Sequence, residues 1–174
     1  MNLEPKTTEK DKHITQIQEN RTSAIQVSIT ISSIYIGIAT ALLIFILQRS
    51  SLMGFASIAA LSCICSIIFH MFAGEFFTLA IWHQHKMSNF AWYGSMCYGI
   101  GQTFLFIALS FLIRGLGHKI LSIYFLLAVF ISWIIYYCIR LLNIKEYENI
   151  IGRWLARIFI FSLYFVALIV LIIK

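Results

Sequence analysis

The sequence predicts an all-α integral membrane protein, folded as a compact bundle of five, or else four, transmembrane helices. Three observations lead there. The chain is 60% apolar and only 11% charged, with a mean hydropathy of +0.87, whereas a soluble domain carries about 25% charged residues to solvate its surface. The apolar residues are gathered into five runs, each near the roughly 20 residues that a helix needs to cross a hydrocarbon core about 30 Å thick. The alternation of a membrane β-barrel strand is absent from all five.

Taken in order, residues 1–24 form a polar tail of mixed sign, with Glu4, Glu9, Asp11 and Glu19 beside Lys6, Lys10, Lys12 and Arg21. A mitochondrial presequence is poor in acids, and a secretory signal places its apolar core earlier. The tail is therefore expected to precede a retained anchor. The single transmembrane domain covers residues 25–174, with spans at about 25–48, 55–82, 90–113, 120–139 and 154–173. Arg49, Arg114, Arg140 and Lys174 follow the first, third, fourth and fifth runs, and Trp82, Trp92, Tyr93, Tyr136, Tyr137 and Trp154 sit near run ends. Amphipathic rings favour the membrane interface.

Alternate loops differ in charge. Nine Lys and Arg fall on the side of the tail, of Lys86 and of the segment from Arg140 to Arg157, and four on the other side. The positive-inside rule then places the amino terminus in the cytoplasm of a bacterial inner membrane and Lys174 outside. The net charge of +6 is assigned to this orientation, because no basic stripe or stacking platform accompanies it, and no nucleic acid is expected to bind directly. The only proline is Pro5, outside every span. The broken helices of secondary transporters are therefore not indicated, and no internal repeat is visible.

Catalytic and cofactor chemistry is not indicated either. The four cysteines, Cys63, Cys65, Cys97 and Cys138, lie in apolar runs without the paired spacing of a zinc site. They read as small apolar fillers. His83 and His85 share a turn but lack a third ligand, and no lysine lies within a span to hold retinal. Neither a phosphate-binding glycine loop nor a nucleophile with its base is found. The chain is expected to be no enzyme, with no cofactor and no metal.

Three patterns remain as candidate sites. Glu75 is the one acid within a span; ionised in hydrocarbon it is costly, so it is expected to be neutral or paired. The short turn between the second and third runs makes them an antiparallel hairpin. Equal depth then matches His70 with Gln102, and Glu75 with Cys97 and Tyr98. Small residues spaced by four, Ser95 with Gly99 and Cys97 with Gly101, are suited to close approach there. The set Glu75, His70, Gln102 and Tyr98 is thus a candidate intramembrane polar site, serving either to hydrogen-bond the hairpin or as an ion path or sensor. On the first helix Gln26, Thr30, Ser33, Gly37 and Thr40 share one face at helical spacing, suited to a packing seam or to a pore wall. Between Arg140 and Arg153, apolar Leu141, Ile144, Tyr147, Ile150 and Ile151 recur at three and four. They predict a short amphipathic helix on the membrane or a partner, with Ile144, Tyr147 and Ile150 as the docking contacts.

Short fragments, Arg21-Thr-Ser-Ala24, His70-Met-Phe-Ala73 and Ala91-Trp92, resemble Orai calcium channels in their order. That family selects calcium with an acid on the first helix, and this first run has none. In size, basic charge and absence of a catalytic motif, the chain also resembles the membrane subunits of bacterial phage-defence systems, such as the Kiwa membrane protein. Those are read as having four spans, so five would be a departure, and no residue role carries over. The resemblance implies a non-enzymatic, oligomeric inner-membrane subunit that acts with a cytoplasmic partner in sensing or antiviral defence. A small ion or proton channel and a membrane redox or enzyme subunit are the alternatives.

Overall fold

The computed structural model describes residues 9–48, 54–83, 86–143 and 150–173. Among them are five helices: α1 (Glu9–Gln48), α2 (Ala56–Trp82), α3 (Met87–Gly115), α4 (Lys119–Asn143) and α5 (Ile150–Ile173). No strand occurs among the described residues. Four helices are long and apolar enough to cross a membrane, and α5 adds an apolar stretch over Arg157–Ile173. The chain is a multi-pass membrane protein.

The helices lie where the apolar runs predict them, but two boundaries differ. α1 begins at Glu9, so helix extends back through the end of the polar tail. Its 40 residues extend about 60 Å at 1.5 Å per residue, twice a bilayer core, and part of it must project beyond the lipid. At the other boundary, α4 continues to Asn143 and α5 starts at Ile150, taking up both ends of the segment for which a separate amphipathic helix is predicted. Ile144 and Tyr147 lie outside the described residues, and Ile150 is the first residue of α5.

In lipid no hydrophobic force draws helices together, so close contact between small residues and polar contacts must do it. α2 is built for this. Its buried face is Ala59, Ser62, Cys63, Ser66, Ala73 and Ala80, with His70 and Phe77 among them. α1 lies along this face through Ile25, Ser32, Ala39 and Ile46, one residue every seven, the narrow seam of an antiparallel or coiled pair. The pair runs antiparallel: Ile25 clusters with Ala73, Phe77 and Ala80 at one end, and Ile46 with Ala59 and Cys63 at the other. α3 packs beside α1 against α2, leaving an outer face of α2 exposed, and carries α4 and α5 on its far half, through Ile107, Phe111, Leu126, Ile160 and Tyr164.

A Schellman turn ends α3. The N–H of His118 reaches the Ile113 carbonyl at 3.2 Å and that of Gly117 the Arg114 carbonyl at 3.0 Å. Gly117 has φ +92°, a left-handed conformation that glycine adopts without a Cβ clash. α4 therefore folds straight back along α3.

Close approach of α2 and α3 depends on Gly101, a member of one of the predicted small-residue pairs, and on Gly94, which that spacing does not include. A Cβ on Gly94 would lie 2.7 Å from the Phe77 ring, and one on Gly101 would lie 2.6 Å from His70 Nδ1. Of the predicted pairs, Gly99 faces Trp133 and Ile160 instead, and Ser95 is exposed. Spacing by seven keeps residues on one straight seam between antiparallel helices, where spacing by four drifts around the cylinder.

Candidate functional site

At the centre of the hairpin one ring from each of three helices meets. His70 on α2 is fully buried. Its Nδ1 lies 2.8 Å from the Ser66 carbonyl, one turn back. A carbonyl can only accept, so Nδ1 carries the proton and Nε2 is left as the acceptor. Nε2 is buried and has no hydrogen-bond partner among the described residues, an expense of about 1–3 kcal/mol. Tyr35 of α1 stacks on the imidazole at 5.1 Å, and Tyr98 of α3 meets it edge-on at 5.5 Å. The two tyrosines meet each other at 5.7 Å. Each such ring pair contributes about 0.5–1.5 kcal/mol beyond area burial. Gln102 joins from the next turn of α3, its Nε2 donating to the Tyr98 hydroxyl at 2.9 Å.

The structure therefore brings together three of the four residues of the predicted polar site. The hairpin register is one residue from that predicted, with His70 against Gly101 rather than facing Gln102. Glu75 is not part of the cluster. It is exposed on the outer face of α2, and the expected pairing near Tyr98 does not form. The reason is azimuth: five residues at 100° each turn Glu75 about 140° from His70. Depth matching across a turn is blind to that angle. No hydrogen bond or ion pair of Glu75 forms among the described residues.

Tyr35 is the member that sequence reasoning missed. Its signal was present, since Ser28, Ile31 or Ser32, and Tyr35 follow helical spacing and mark the face of α1 turned toward α3. It was overshadowed by the polar stripe on another face. That stripe, Gln26, Thr30, Ser33, Gly37 and Thr40, is exposed at all five positions, and a Cβ on Gly37 would meet nothing within 4 Å. It is not a seam within the chain; that part is taken by Ile25, Ser32, Ala39 and Ile46. The hydroxyls of Thr30, Ser33 and Thr40 donate to carbonyls one turn back at 3.2, 3.1 and 2.8 Å. The stripe thus needs no partner to satisfy its donors.

Stepping five residues from the stacked pair Tyr35–His70, back along α1 and forward along α2, brings Thr30 level with Glu75. The exposed carboxyl thus lies at the depth of Thr30 within the exposed stripe. Groups of three or more metal-ligating side chains do not occur among the described residues, and the four cysteines are free thiols. At the boundary of α5, Arg157 is buried and lies over the rings of Tyr137 at 5.0 Å and Trp154 at 5.6 Å. Comparison with protein-family models, curated proteins and solved structures finds no match for the chain.

Proposed function

We propose that the chain is a non-enzymatic subunit of the bacterial inner membrane, working as an assembly of its own copies with a cytoplasmic protein in sensing or antiviral defence. The observation that carries the assembly is the placement of Glu75 on an exposed face within a span, about six residues from its middle. An acidic side chain within a span is unfavourable, by up to about 2.5–3.5 kcal/mol at its centre on insertion scales. A neighbouring copy relieves that cost if it brings donors to the same depth. On the exposed stripe of α1 the Gln26 amide, about one turn from Thr30, is such a donor, the hydroxyls of Thr30, Ser33 and Thr40 being engaged with carbonyls of their own helix. In a two-fold pair the α2 face of each copy meets the α1 face of the other, so the contact forms twice. The tail and the 144–149 connection are the cytoplasmic surfaces in this reading, and the resemblance to phage-defence subunits supplies the biological role.

Counting subunits in single membrane particles, together with crosslinking between cysteines placed at 30 and 75 of separate copies, tests the assembly. Glu75→Leu should reduce both while improving insertion. Unchanged subunit number in Glu75→Leu would overturn the contact. Reporter fusions test the orientation: a carboxyl-terminal fusion active only in the cytoplasm would refute an outward Lys174.

A channel is the second reading, favoured by the exposure of all five stripe residues. Cysteine at Ser33, in a background lacking native cysteines, should then react with a charged thiol reagent and block current. An unreactive Ser33→Cys alongside a silent bilayer would remove that reading.

A further inference from the structure

A cleft of about 790 Å³ lies between α1 and α4, with α3 as its floor. It is separate from the Glu75 face: Ser28 and Ile31 line it from α1, and Phe77 reaches into it from α2. Along α3 it runs from Ser95 to Phe106, eleven residues or about 16 Å at 1.5 Å per residue. Such a volume lies within the roughly 300–1,000 Å³ of small-molecule sites.

The wall states what could fill it. Among the described residues no Asp, Glu, Lys, Arg or His lines the cleft, so none of its described wall would balance a phosphate or an ammonium group. Apolar rings dominate. Phe106 and Phe125 meet edge-on at 6.3 Å at one end, and Trp133 and Tyr137 lie 5.2 Å apart toward the other. Between them sits a small polar group. Gln102 gives one amide proton to Tyr98, which leaves its second N–H and its carbonyl oxygen. Ser95 on the floor and Ser132 on the α4 wall have given their protons to the carbonyls of Ala91 and Ala128, both at 2.8 Å, and keep oxygens that can accept. The cleft lies within the spans, running from the middle of α3 toward the ends at which Ser28 and Tyr137 lie, so its occupant must be soluble in lipid.

We infer that this cleft binds a neutral lipid whose head carries a carbonyl or hydroxyl oxygen, held at Gln102, with its apolar part along the aromatic wall. Two kinds of molecule have this chemistry, a quinone ring on an apolar tail and an ester-linked acylglycerol.

Native mass spectrometry of the full-length protein, titrated separately with decylubiquinone and with monoolein, distinguishes them. One of the two should saturate at one molecule per chain and resist displacement by the other. Ala128→Trp, which places an indole in the cleft, should abolish the saturable adduct, while Ile135→Trp on the exposed side of α4 should leave it. Gln102→Leu should weaken it about 2–10-fold, the loss of one net hydrogen bond. Melting temperatures of Ala128→Trp and Ile135→Trp should match wild type, which separates occupancy from folding. Adducts that grow without saturating for both probes, or that persist in Ala128→Trp, would overturn the inference. So would a fall in subunit number in Ala128→Trp with no change in lipid, since the cleft would then be an interface between copies.

Discussion

The closest approach at any described glycine is at Gly101, which predicts that Gly101→Ala destabilises the bundle. A methyl at this position would stand 2.6 Å from Nδ1 of His70, 2.7 Å from Cε1 and 3.1 Å from Cγ. The imidazole cannot swing away easily, because Nδ1 is held on the Ser66 carbonyl and the ring is stacked on Tyr35. The overlap therefore falls on the helix backbones. Overpacking of a dense interior costs about 1–3 kcal/mol, and alanine in mid-helix regains about 0.5–1 kcal/mol over glycine. The net effect is about 0.5–2 kcal/mol of destabilisation, a fall of roughly 2- to 30-fold in the folded population relative to unfolded. Gly74→Ala is the internal reference: nothing lies within 4 Å of its Cβ, so only the helix gain remains and stability should rise. Thermal or steric-trap unfolding in one detergent would measure both. His70→Ala should be damaging alone yet relieve the overlap, so the double variant His70→Ala/Gly101→Ala should be more stable than the sum of the single effects. Gly101→Ala as stable as Gly74→Ala, or strict additivity in the double variant, would refute the packing argument.

The remaining expectations concern register, the buried cation and the connection. With native cysteines removed, cysteines at 77 and 94 should crosslink readily and cysteines at 75 and 94 poorly, because Phe77 faces Gly94 while Glu75 faces out; equal yields would contradict the azimuth of α2. Arg157→Lys should lower the melting temperature although charge is kept, since an ammonium lacks the planar face that lies over Tyr137 and Trp154; the loss should be about 0.5–2 kcal/mol, and an unchanged melting temperature would count against the stacking. Replacing Ile144, Tyr147 and Ile150 by polar residues should release a cytoplasmic partner while leaving membrane insertion intact; retained binding, assayed by co-purification, would remove that segment as the docking surface.

The five helices were legible because the cost of placing backbone and charge in hydrocarbon is a property of each segment alone. Runs of apolar residues near bilayer length, ended by Arg49, Arg114 and Arg140, therefore mark spans whatever packs against them. The short turn near Lys86 likewise determined the antiparallel hairpin and its register to within one residue, since a rise of 1.5 Å per residue converts chain position into depth. Azimuth was not legible. These helices are apolar nearly all round, so no polar side tells which face is buried. Only the packed neighbours decide it. The presence of α1 and α3 on one side of α2 turns His70 inward to Tyr35 and Tyr98 and leaves Glu75 outside, and Gly94 and Gly101 become indispensable only once Phe77 and His70 are known to lie against them. Composition determined that the chain lives in a membrane. Which carboxyl meets lipid and which glycine meets a ring were decided by tertiary contacts, because those depend on rotation about the helix axis, which the local sequence leaves almost free of energy.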